Sequence, residues 1–234
     1  MIAQYNQNYQ YHKDKDLVVI WSAKAGCTIV VKMFFEQEGL SNEVSKYEWV
    51  HDFREKHSIA NKSDRIQALS NPKTKYIQFV VNPYRRAVSS YIHAMRHKYL
   101  GFQYTNLSYS VFLDKLINKV LPNDIHHSSQ IFKLHKEKQI EYIKMEEIQN
   151  KLPYINDKYK LEYKIKSSNH YAKKTNEDKI FLGNTEWENI KNKIPKDYSN
   201  FYNKEIKQKV EIAFSEDIAL LDYDFNDLKK YNYV

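Results

Sequence analysis

The run Asp16-Leu-Val-Val-Ile-Trp21, followed by Ser22-Ala-Lys-Ala-Gly-Cys27 and then Thr28-Ile-Val-Val-Lys-Met-Phe-Phe-Glu-Gln37, decides the fold. An unbroken apolar run with no polar alternation suits a strand buried on both faces, as in a parallel sheet. The small and polar residues after it make a tight loop. Val30 with Phe34 and Val31 with Phe35 then recur at helical spacing, and Gly39 is placed to end that helix in the left-handed conformation. Strand, tight loop and helix in that order open an α/β arrangement.

A second strand-to-helix passage begins at Lys75-Tyr-Ile-Gln-Phe-Val-Val81 and turns at Asn82-Pro83. Proline at the first helical position has a preset φ and no donor to waste. The helix continues to Met95, with Ala87, Val88, Tyr91 and Met95 on one stripe, and Gly101 lies beyond its end. Residues 41–71 are polar and mixed, which predicts short helices and loops on the surface. Ser110–Val120 predicts an amphipathic helix with Val111 or Phe112, Leu116 and Val120 inward, stopped before Pro122. Asn123–Gln130 reads as a loop entering a helix. Gln139–Lys144 alternates as a half-buried strand does, and lysine-rich Lys151–Lys174 reads as irregular and mobile. Tyr202, Ile206, Val210, Ala213 or Phe214, and Ile218 mark one face of a long helix before a Tyr223-Asp-Phe225 tail. With no repeat and no Gly/Ser linker, the expectation is one α/β domain over residues 1–234, a small parallel sheet flanked by helices.

Composition bounds the function without choosing it. A chain of 234 residues with 42% hydrophobic and 15% aromatic content can bury a sizeable core, which excludes wholesale disorder. The longest apolar runs are far too short to span a bilayer. The opening MIAQYNQNYQ has no basic region followed by an apolar one, so no secretory signal and a cytoplasmic location are expected. Cys27 is the single cysteine, which excludes an internal disulfide and a cysteine-based zinc site; the nine histidines are scattered, and no metal is expected. Lys and Arg total 37 against 29 Asp and Glu, a net charge of +8. That excess favours anionic partners: nucleic acid, an acidic membrane surface, a polyanionic glycan or a nucleotide.

The two strand-to-helix turns narrow the choice. A helix N-terminus after a buried strand offers unpaired amides and the positive dipole end, which suit a phosphate or sulfate when small residues let it approach. Ala25, Gly26, Cys27 and Thr28 supply those positions, and Lys24 can place an ammonium beside the anion. The lysine precedes the glycine, the reverse of a nucleotide-triphosphatase P-loop, which argues against an ATPase or GTPase. At the second turn Arg85, Arg86 and Ser89 are within reach of a second anion. Two such turns on one sheet suggest a ligand with two separated phosphate-like groups.

The same residues resemble those of sulfotransferases that use 3′-phosphoadenosine 5′-phosphosulfate (PAPS), in the carbohydrate branch. Ser22-Ala-Lys-Ala-Gly-Cys-Thr28 is similar to their 5′-phosphosulfate loop. Phe79-Val-Val-Asn-Pro-Tyr-Arg-Arg-Ala-Val-Ser-Ser-Tyr91 is similar to their 3′-phosphate motif, FVRxPxxRxxSxY. Asp124-Ile-His-His-Ser-Ser-Gln130 is similar to an HWxPQ-like segment, and Tyr198–Phe225 to the closing helix and tail. The matches are patchy but ordered over roughly residues 16 to 225.

The resemblance implies a P-loop-like sulfotransferase fold, PAPS as donor and a glycan hydroxyl as acceptor. It implies that Lys24 contacts the phosphosulfate and assists the leaving group, that Ala25–Thr28 cradle the 5′-phosphate, and that Ser89 holds the 3′-phosphate. His126 falls where this branch places a candidate general base, with His127 in place of the usual Trp and Ser129 in place of Pro. Glu146 resembles a family acidic position of structural character. Val81 stands where the family has an arginine that helps bind the 3′-phosphate. Either Arg85, Arg86 or a lysine of Lys173-Lys174 compensates, or donor affinity is weak, or the protein is a non-catalytic relative. A different class remains open beside these: a basic nucleic-acid-binding protein using interleaved tyrosines such as Lys158-Tyr-Lys160.

Overall fold

A computed structural model describes residues 8–165 and 180–230. The elements run β1 (Tyr9–His12), β2 (Leu17–Trp21), α1 (Cys27–Gln37), α2 (Ser41–Val44), α3 (Val50–Ala60), α4 (Lys62–Ser70), β3 (Lys75–Val80) and α5 (Pro83–His97). They continue through α6 (Tyr109–Ile117), β4 (Ile140–Lys144), α7 (Ile148–Tyr159), α8 (Trp187–Ile190), α9 (Lys204–Ala213) and α10 (Ser215–Leu221). The chain packs as two compact units: residues 8–80 with 130–165, and 81–129 with 180–230.

The first unit holds the whole sheet, in the order β1-β2-β3-β4, and it is α/β as expected. β2 pairs parallel with β3 and β3 with β4, with Trp21 opposite Phe79 and Val80 opposite Lys144, so the C-terminal ends of these strands lie at one end of the sheet. Every residue of β2 is buried, which explains its lack of alternation. β1 is an antiparallel strand the sequence reading missed. It buries the polar Gln10 and His12, and His12 is satisfied inside: it stacks on Phe34 with ring centroids 4.2 Å apart and bonds the Glu38 carboxylate and, at 2.7 Å, the Tyr163 hydroxyl. α1 closes as predicted: Gly39 has φ +72°, its amide donates to Glu36 O, and the Leu40 amide donates to Phe35 O.

α7 corrects the expectation of an irregular, mobile stretch from Lys151. Ile148, Ile155 and Tyr159 bury a helical face beneath a polar exterior that includes Lys151 and Lys158, and Pro153 lies inside the helix. Residues 166–174 of that stretch lie outside the described residues. Residues 41–71 form helices as predicted, but they bury Val50, His51, Arg65 and Ala68 rather than lying wholly on the surface.

The second unit is helical and packs on the stripe of α5, where Ala87, Val88, Tyr91 and Met95 are buried. In α6 Phe112 is inward and Leu116 packs against the core as expected, with Tyr109 and Leu113 beside them, whereas Val111 and Val120 are exposed. Residues 123–130 enter no helix but form an isolated turn, with the His127 and Ser128 amides both donating to Asp124 O. The long C-terminal helix is broken at Phe214 (φ −122°, ψ 33°) into α9 and α10; Asn203 caps α9 by accepting from the Ile206 amide, and Tyr202 precedes it.

Candidate functional site

In the first unit the loop from β2 to α1 turns through two left-handed residues, Lys24 (φ +66°) and Gly26 (φ +72°). A lysine there is held at a backbone cost of about 1 kcal/mol, a conformation that persists only where the surroundings impose it. Gly26 is the N-cap of α1, and a Cβ on it would stand 2.6 Å from Met145 Cε, so the loop is seated against the turn that follows β4. Among the described residues no side chain caps α1 and the amides of Cys27 and Thr28 meet no acceptor, which leaves them for an outside one, beside the half-exposed Lys24. Ala25 is fully buried, and Ser22 carries a buried hydroxyl that has no partner.

Two residues of α3, unremarked in the sequence, complete this corner. His51 Nε2 lies 3.5 Å from Thr28 Oγ1 while its Nδ1 is buried without a partner. Burial first, and then the Arg54 charge, push its pKa down to about 4, so it is a neutral imidazole near pH 7. Arg54 is mostly buried and bonds Glu55 Oε1 at 3.2 Å; burial, the largest cause, lowers its pKa, and the neighbouring Glu55 and Cys27 act in the opposite sense. The corner therefore gathers a helix N-terminus, an ammonium and a guanidinium, the electrostatics of an anion site. The spacing of His51 and Arg54 on one helical face is the only sign of this in the sequence.

The second turn is built differently. Asn82 Oδ1 accepts from the Tyr84 amide at 2.9 Å and the Arg85 amide at 3.3 Å, while its Nδ2 donates to Asp224 O. The start of α5 is thus capped from within, and only side chains remain to meet an anion there. Val81 is fully buried. Arg86, expected to reach the donor, is fully buried as well: Nη1 donates to Ser128 O at 2.6 Å, Nη2 to Ile125 O at 3.2 Å, and Asp217 Oδ2 lies 3.7 Å away. Its guanidinium holds a turn together inside the unit. Arg85 and Ser89, four residues apart and half-exposed, share the open face, with Arg85 over the Tyr198 ring.

His126 sits on the turn that Arg86 clamps, and Ser90 Oγ donates to its backbone carbonyl. Asp124 Oδ1 accepts from the His126 amide at 2.8 Å and bonds its Nδ1 at 2.6 Å. With the carboxylate accepting, Nδ1 carries the proton and Nε2 keeps its lone pair. The ring remains 26% exposed and lies 4.2 Å, centroid to centroid, from His93. His127 turns inward instead: its Nε2 donates to Pro122 O, and burial, first among the causes, lowers its pKa.

The predicted residues thus fall into two groups, each within its own unit: Lys24, Ala25, Gly26, Cys27 and Thr28 in the first, Arg86, Ser89 and His126 in the second. Comparison with family models, with curated proteins and with solved structures returns no match. Among the described residues no group of three or more His, Cys, Asp or Glu could hold a metal ion, and no helix is long and apolar enough to cross a membrane.

Proposed function

We propose that this chain is a PAPS-dependent sulfotransferase acting on a carbohydrate hydroxyl. The observation that carries the reading is the uncapped start of α1 behind a fully buried parallel strand, with Lys24, Arg54 and the Cys27 and Thr28 amides around it. The donor supplies a sulfuryl group on a phosphate leaving group. Lys24 and the amides stabilise the charge that grows on that phosphate, and they act on the transition state more than on the ground state. Arg85 and Ser89, rather than Arg86, take the 3′-phosphate in this reading, in place of the arginine absent at Val81. His126 Nε2 accepts the proton of the acceptor hydroxyl, and Asp124 holds the tautomer in which Nδ1 rather than Nε2 carries the ring proton.

Calorimetric titration with 3′,5′-adenosine bisphosphate tests the donor site. Wild type should bind it, and Lys24→Ala should weaken binding about tenfold to a hundredfold, the worth of a charge-assisted contact. Absence of bisphosphate binding, or equal binding by ATP, would sink the reading.

A further inference from the structure

A lysine-lined groove follows β4, the edge strand of the sheet, within the first unit. One cavity of about 840 Å³ lies at the start of β3 and β4, and a second of about 230 Å³ continues beside β4 and α7; they share Glu141. Lys73, Lys75, Lys138 and Lys158 line the first, Lys144 and Lys151 the second, against the carboxylates of Glu137, Glu141 and Glu147. Glu141 is engaged by Lys158 at 2.7 Å and by the Tyr159 hydroxyl, whereas Lys73 and Lys75 enter no ion pair among the described residues. The hydroxyl of Thr74, a residue lining the larger cavity, is buried and has no partner.

Its direction matters as much as its charge. β4 is five residues, or about 16 Å of strand. Its last residue, Lys144, is followed by Met145, the side chain against which Gly26 is seated. The groove therefore follows β4 from the start of the strand to Lys144, one residue before Met145.

We infer that this groove binds a linear acidic polysaccharide carrying dispersed carboxylate or sulfate groups. Lysine presents a hydrated point charge and lacks the planar fork with which arginine grips phosphate, and among the described residues no arginine lines the groove. Open aromatic faces are few: Tyr76 and Tyr159 are buried with bonded hydroxyls, the Lys158 ammonium covers one face of the Tyr154 ring, and Tyr142 is half-buried in β4. Single-stranded nucleic acid is bound by open aromatic faces along a basic groove, so charge at intervals along a saccharide is the better match. The binding stands whatever the α1 loop holds; only the polymer's role as acceptor rests on the proposed activity.

Fluorescence anisotropy with a labelled chondroitin sulfate oligosaccharide tests it, with a single-stranded oligonucleotide of equal charge as competitor and neutral dextran as control. The variant Lys73→Gln/Lys75→Gln/Lys138→Gln should lose about tenfold in affinity, as three modest exposed contacts imply. A charge-matched variant, Lys62→Gln/Lys196→Gln/Lys204→Gln, should lose less than about twofold. Both should melt as wild type does, since all six changes are on exposed or half-exposed side chains. Equal losses in the two variants, no loss in the first, or stronger competition by the oligonucleotide would each overturn the inference. Bisphosphate titration of the groove variant separates the two proposals: polysaccharide binding through the groove without any bisphosphate binding supports the groove and removes the transferase.

Discussion

His126 is the residue whose surroundings speak most directly to chemistry. A half-exposed imidazole is an ordinary surface feature; one whose Nδ1 is bonded to a carboxylate two residues away, on a turn pinned by Arg86 and Ser90, is held in one tautomer and one orientation. In a sulfuryl-transfer assay His126→Ala should lower kcat by about 10²–10⁴-fold with donor KM little changed, the range of lost general-base assistance. Asp124→Asn should lower kcat too, because an amide can hold the ring with the wrong nitrogen protonated. Wild-type turnover in both would remove the pair from the mechanism. None of this pairing is readable from Asp124-Ile-His126 as a string, whereas Lys24–Thr28 is, because those five residues act as neighbours in the chain. His51 and Arg54 were illegible for the opposite reason: their relevance depends on α3 packing against the start of α1.

Elements were legible in proportion to how apolar their buried faces are. β2, α1, β3 and α5 bury unbroken or regularly spaced hydrophobic residues, and each begins and ends within a residue or two of its predicted bounds. β1 buries Gln10 and His12, whose partners Ser58, Glu38 and Tyr163 come from other elements, so no alternation of hydrophobicity marks it. α7 was hidden by its mixed polar solvent face and by Pro153. The contact between α5 and α10 is likewise polar: Arg86 and Asp217 have no side-chain exposure, and Asp217 also accepts from Ser129 Oγ at 2.5 Å. Breaking a buried ion pair strands the remaining charge, so Asp217→Ala should cost about 3–5 kcal/mol in urea unfolding. A loss under about 1 kcal/mol, the scale of an exposed pair, would show that water reaches this guanidinium.

For the whole molecule, burial of neutral titratable groups sets the pH range of stability. His51 keeps a pKa of about 4 in the fold against an ordinary 6.5, and burial lowers His57 and His127 as well. Below pH 6.5 the unfolded chain takes up protons that the folded one refuses, so this stability is present above 6.5 and is lost as pH falls toward 4, about 3 kcal/mol for His51 alone. Ten of the twenty tyrosines act at the other end: Tyr9, Tyr11, Tyr76, Tyr84, Tyr91, Tyr99, Tyr109, Tyr159, Tyr163 and Tyr202 all have raised pKa values, with burial the first cause. Their contribution is complete below pH 10 and disappears as pH rises toward the folded values, about 12 for Tyr11 and Tyr76. Urea unfolding across pH should therefore give a plateau between about 6.5 and 10 with a fall on each side. His51→Asn should flatten the acid limb, and phenolate absorbance should rise together with unfolding rather than before it on the alkaline limb. Free ionisation of all the tyrosines near pH 10 in a still-folded chain would contradict the burial that organises both units, and an acid limb unchanged by His51→Asn would show that water reaches the imidazole beside Thr28.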